Sequence, residues 1–231
     1  MNMSFINKIR KLICHRQYIN PIVDENIYQS LEHSYSGGSL SESNLLIVTN
    51  IPISEDLILT IQKNENVSVS VLCINGELSR EDIVSASKEL IGPFTHIVNL
   101  YRKDENMSLL TASGEYPKTD DMYRVYQWLQ EEVSYLVPLE QYATICTAFI
   151  SDDSDYSFVL KKNMEMLALS LGDVLANHSI INNGIIASNK VKLVDILQTA
   201  LFMSSKYGQI LGGAIHVTTQ HPYRKLLVNK A

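Results

Sequence analysis

From residue 44 onward the chain alternates short apolar runs with longer amphipathic stretches, and that alternation leaves few folds open. Leu45–Val48, Val67–Ile74, His96–Leu100, Thr144–Phe149, Ile180–Ile186 and Ile210–Val217 have the length and β-branched content of strands. Between them the periodicity predicts helices over Ser54–Lys63, Ser79–Ile91, Asp120–Leu136, Tyr156–Ala176 and Val191–Ser204. Repeated βα units imply a parallel sheet with helices on both faces, so the fold class is α/β: a Rossmann-like, doubly wound sheet in three layers. Helix ends carry their own marks. Ser54 ahead of Glu55 and Asp56 reads as a capped start, Ser79-x-x-Asp82 as a capping box, and Gly92-Pro93 as a stop.

Residues 1–43 stand apart from this pattern. Phe5, Ile6, Ile9, Leu12 and Ile13 share one side of a helix, with Lys8, Arg10, Lys11 and Arg16 elsewhere, and Tyr35–Asn44 has linker composition. The expected division is therefore 1–43, an amphipathic helix that docks on its own domain plus a linker, and 44–231, the Rossmann-like domain. A net charge of −6 leaves no nucleic-acid footprint. No apolar run reaches the roughly 18–20 residues that span a bilayer, and the expected location is the cytoplasm. The 3 cysteines and 6 histidines lack ligand spacing, so no metal is expected. The acid pairs Glu131-Glu132 and Asp152-Asp153 read as solvated surface.

The first strand, turn and helix have the geometry with which nucleotide-binding domains cradle a pyrophosphate, a task those domains give to glycines. Here the turn is Thr49-Asn50-Ile51-Pro52-Ile53, without one.

The second half carries a resemblance to a family. "KKNMEMLALSLGDVLANHSIINNGIIAS", Lys161 to Ser188, resembles the helix-then-strand segment of the short-chain dehydrogenases/reductases, with Ser170-Leu171, Leu175-Ala176, Ile180, Asn183 and Ile185 in register. "ILQTALFMSSKYGQILGGAIHV" is similar to the family's last helix and strand, and "FTHIVNLYR", Phe94 to Arg102, to its "F-G-x-I-D-x-L-V-N-N-A-G".

Four departures from the family fall on its chemistry. The glycine-rich turn T-G-x-x-x-G-x-G keeps only Thr49, and Pro52 removes an amide donor. The family's second strand and third helix have no room between Asn64 and Val67, so the domain is expected to lack one βα unit. In Tyr-x-x-x-Lys the lysine lowers the tyrosine's pKa; with Lys161 in that place, the tyrosine position holds Ser157, and Tyr156 lies about 140° away around the helix. Finally, Ala187-Ser188 replace the P-G that opens the substrate loop.

The resemblance with these departures implies a non-catalytic protein with no catalytic residue and no cofactor, in which Thr49, Asn50, Asn99 and Asn183 occupy vestigial cofactor positions. It would act as a dimeric scaffold, or as the inactive partner of an active reductase in a biosynthetic pathway. In the family, the helices matching 120–136 and 156–176 form the subunit interface. The alternative is an atypical ketoreductase-like enzyme using NADP or NAD, with Tyr156 and Lys161 or Lys162 catalytic and Thr147, Ser151 or Ser154 in the place of the family's serine.

Overall fold

The computed structural model describes residues 40, 43–88, 90–103, 120–151, 155–205 and 213–217, with backbone only at 120, 155–160, 173 and 213–217. The expected N-terminal helix lies outside these residues, as do Ser154, the Asp152-Asp153 pair and the C-terminal tail. In chain order the elements are β1 (Asn44–Thr49), α1 (Glu55–Glu65), β2 (Ser68–Cys73), α2 (Arg80–Ser87), β3 (His96–Arg102) and α3 (Asp120–Leu136). They continue with β4 (Ala143–Ser151), α4 (Asp155–Leu175), β5 (Ile180–Ser188), α5 (Leu193–Ser204) and β6 (Gly213–Val217).

The six strands form one parallel sheet in the order β2-β1-β3-β4-β5-β6. The chain steps outward from β1 to β2, crosses back to β3, and then winds the other way. The switch in direction therefore lies between β1 and β3. The strands' period of two divides the core between the faces. Leu45, Ile47, Val98, Cys146 and Ile185 pack with Ile61 of α1 and with Ile196, Leu197 and Ala200 of α5. Leu46, Val48, Ile97, Phe149 and Ile186 pack with Ile83 of α2, Trp128 of α3 and Met164 of α4. This is the expected three-layer, doubly wound arrangement.

Long-range bonds account for the differences at element ends. The capping box of Ser79 and Asp82 forms, but α2 stops at Ser87 rather than Ile91. The Asn44 amide reaches the carbonyl oxygens of Ile91, Gly92 and Pro93 at 2.9, 3.0 and 3.1 Å. Those carbonyls are thus satisfied outside a helix, and Gly92 turns the chain at φ +91°. Ser54 holds the N-cap position of α1 through its backbone: its carbonyl accepts from Leu57 and Ile58, while its hydroxyl makes no capping bond. β3, β4 and β5 each run two residues past the expected end. Ladder-like bonds continue there, with Lys103 N–H donating to Ile150 O and Asn189 N–H to Ser151 O, both at 2.9 Å.

Candidate functional site

In an open parallel sheet a ligand enters at the carboxyl ends of the strands, beside the switch in strand direction. Here that crevice lies over Thr49 and the end of β3. The Thr49 hydroxyl donates to Ile51 O and accepts from Ile51 N–H, both at 2.9 Å, which folds the turn back on itself. Asn50 then spans the crevice. Its amide nitrogen donates to Arg102 O at 2.8 Å, its amide oxygen accepts from Arg102 N–H at 2.7 Å, and its backbone N–H reaches Leu100 O at 3.3 Å. Ile51 turns inward and joins the α1/α5 core, only 5% exposed. α1 begins directly behind, with Glu55 and Asp56 in its first turn.

The remaining residues singled out from the sequence are dispersed. Asn99 sits at the middle of β3, fully buried and facing α3; its amide donates to Glu132 Oε2 at 2.9 Å and to Thr147 Oγ1 at 3.1 Å. Asn183 faces the opposite side of the sheet and donates to Met203 O, in the last turn of α5, at 3.0 Å. Lys161 lies on α4, part-exposed and engaged in an interaction of its own. Tyr156 is in the first turn of the same continuous helix, five residues earlier, and its side chain is outside the described residues. Lys162 pairs with Glu165 at 2.9 Å. Ser151 ends β4, buried, with its hydroxyl unpartnered. The structure thus brings Thr49 and Asn50 together at the crevice, and Asn99 and Thr147 together inside. It joins neither pair to Asn183.

Where a substrate loop would open after β5, the chain makes a tight turn. Asn189 bonds back to Ser151, Lys190 N–H donates to Ser188 Oγ at 3.3 Å, Val191 N–H donates to Ser188 O at 3.0 Å, and α5 starts at Leu193. A cavity beside Thr147, Asn182 and Gly184 under α4 has a volume of about 10 Å³. That holds one water at most.

Sequence reasoning missed how α3 is fastened. Tyr101 donates to Asp121 Oδ1 at 2.6 Å, Trp128 Nε1 to Gly76 O at 3.0 Å, and Phe94 N–H to the Tyr135 hydroxyl at 3.1 Å. Gln127 both accepts from and donates to the backbone of Leu78. Burial first, and then Asp121, raise the Tyr101 pKa, so the phenol stays protonated. Glu132 overturns the solvated reading of Glu131-Glu132, because its carboxyl is completely buried. Helical phase carried the signal. Glu132 falls four residues after Trp128, three after Leu129 and seven after Val125, on the buried stripe. The outer stripes of α3 and α4 expose Tyr123, Tyr126, Met166 and Val174.

No protein-family model and no curated protein matches the chain in sequence. Solved structures match its fold. A short-chain dehydrogenase from Mycobacterium smegmatis superposes with a TM-score of 0.59 at 10% identity, over 79% of this chain and 94% of that one. The chain has the short-chain dehydrogenase fold. A 3-ketoacyl-(acyl-carrier-protein) reductase from Brucella melitensis complexed with NADH gives 0.57 at 12% identity, over 80% of this chain and 100% of that one. A short-chain dehydrogenase from Leptospira borgpetersenii with bound NAD+ gives 0.54 at 11% identity, over 80% of this chain and 94% of that one. Among the described residues the sheet has six strands, fewer than the full short-chain dehydrogenase sheet.

Proposed function

We propose that the chain is a non-catalytic relative of the short-chain dehydrogenases. In this reading it is a scaffold that associates with itself, or with an active reductase of the same fold in a biosynthetic pathway, and uses neither NAD nor NADP. The observation that carries the reading is the Asn50–Arg102 bridge over a turn whose Ile51 is core. A pyrophosphate needs free backbone N–H groups and close approach; this turn offers a proline, a buried isoleucine and an amide already committed to Leu100. Charge works in the same direction. A helix N-terminus presents about half a positive charge, whereas Glu55 and Asp56 bring two full negative ones to the first turn of α1. Both are exposed, and they weaken the attraction for a phosphate there.

The tight β5–α5 turn, which opens no substrate loop at that position, and the five-residue spacing of Tyr156 and Lys161 support the same conclusion. Partner binding falls to α3 and α4, because the polar fastenings of α3 make a firm platform and the outer stripes of both helices carry apolar side chains. The protein works in the cytoplasm in this reading and engages no nucleic acid. Among the described residues no helix is long and apolar enough to cross a membrane. Light scattering combined with an NADPH-oxidation assay on carbonyl substrates tests the proposal. Expected is a species larger than a monomer with no turnover. A monomer whose turnover disappears on Tyr156→Phe overturns it.

A further inference from the structure

Beneath α3 lies a titratable group that the proposed function does not use. The Glu132 carboxyl is completely buried between α3 and the centre of the sheet. Its Oε2 accepts from Asn99 Nδ2 at 2.9 Å, and its Oε1 is buried without a partner. Asn99 Oδ1 is likewise buried and unpartnered, while Asn99 Nδ2 also reaches Thr147 Oγ1 at 3.1 Å. This cluster has more acceptors than donors. A carboxylate there would rest on one neutral amide, whereas a carboxylic acid adds the donor that the cluster lacks. Burial pushes the Glu132 pKa up to about 8, and the Asn99 bond acts weakly the other way.

Among the described residues, no charged group on the surrounding elements acts on Glu132. α2 carries Arg80, Glu81 and Asp82 and is followed by Lys88, all exposed, and the loops before α2 and after α3 carry exposed Glu77 and Glu140. On α4, Lys162 is bonded to Glu165, and Lys161 has an interaction of its own. Lys103, just past β3, is also partnered. On α3 itself, Asp121 is bonded to Tyr101, and Arg124 and Glu131 are part-exposed. His96 of β3 bonds Thr144 on the sheet's other face.

We propose that Glu132 is a proton-dependent latch: α3 is held on the sheet at full strength only while this carboxyl carries its proton. The acid form bonds within the Asn99–Thr147 cluster, and ionisation leaves a charge with no counter-charge. Because the folded pKa lies above the ordinary 4.5, the latch's contribution is full below about pH 4.5 and is lost as pH rises through about 8.

The test is chemical denaturation of the full chain and of Glu132→Gln across this range. The ratio of the wild-type unfolding constant to that of Glu132→Gln should rise about tenfold per pH unit and level off above about pH 8. A ratio that moves less than about threefold over the whole range overturns the proposal. Should Glu132→Gln fail to fold, infrared difference spectra of the wild type decide. A buried carboxylic-acid C=O band present at neutral pH and lost at alkaline pH supports the latch, and its absence at neutral pH overturns it.

Discussion

Ile51→Ala probes whether the turn after β1 is core or a ligand loop. Ile51 is 5% exposed and lies against the cluster that includes Leu45, Ile47 and Ile61, with Ile53 and Leu57 packed on it. The substitution removes three carbon atoms from that cluster. At about 0.8 kcal/mol each, transfer alone costs about 2.4 kcal/mol. Incomplete collapse of the space left behind adds to this, so a loss of about 2.5–3.5 kcal/mol is expected. The assay is urea unfolding followed by far-ultraviolet circular dichroism, with the midpoint falling at an unchanged m-value. A loss below about 1 kcal/mol refutes the packing account. Such a result would mean that Ile51 contributes little to the fold, and the turn would be free to open toward a ligand.

Asn183→Ala removes the donor that satisfies the Met203 carbonyl inside the α5 face, and should cost about 1–3 kcal/mol in the same unfolding assay without changing any oligomeric state. Tyr126→Glu combined with Met166→Glu places charge on the exposed stripes of α3 and α4. Light scattering should then report a monomer with unaltered circular dichroism, whereas an unchanged assembly would remove those helices from the interface.

The sequence made the sheet legible because β1, β3, β4 and β5 are buried on both faces, and such strands must be continuous apolar runs. It also showed that no βα unit fits between α1 and β2, since only Asn66, in a left-handed turn, and Val67 separate them. What it did not show depends on contacts made across the fold. α2 stops early because Asn44, nearly fifty residues away in sequence, takes the carbonyls of Ile91, Gly92 and Pro93. β3 extends to Arg102 because Asn50 supplies the next rung of bonds. At the candidate site, the absence of glycine after Thr49 was plain, but the Asn50–Arg102 bridge needs the β1–β3 pairing and has no local signature. The interior setting of Asn99 was not legible: with the strand expected to end at Leu100, Asn99 lay beside its carboxyl end, whereas β3 runs on to Arg102. It is the fourth residue of the seven in β3, too far from the strand's carboxyl end to reach a ligand there. Glu132 was misread by its neighbour Glu131, where the helical phase set by Trp128 should have decided.

In the proposed reading the switch-point crevice takes no dinucleotide. Isothermal titration of the full-length chain with NADH and NADPH, followed in parallel by nicotinamide fluorescence, tests this most directly. No saturable heat and no fluorescence enhancement are expected up to about millimolar cofactor, a concentration at which even a standard free energy of about −4 kcal/mol would register. Saturable binding with a micromolar Kd, abolished by a bulky substitution in the turn after β1, would contradict the claim.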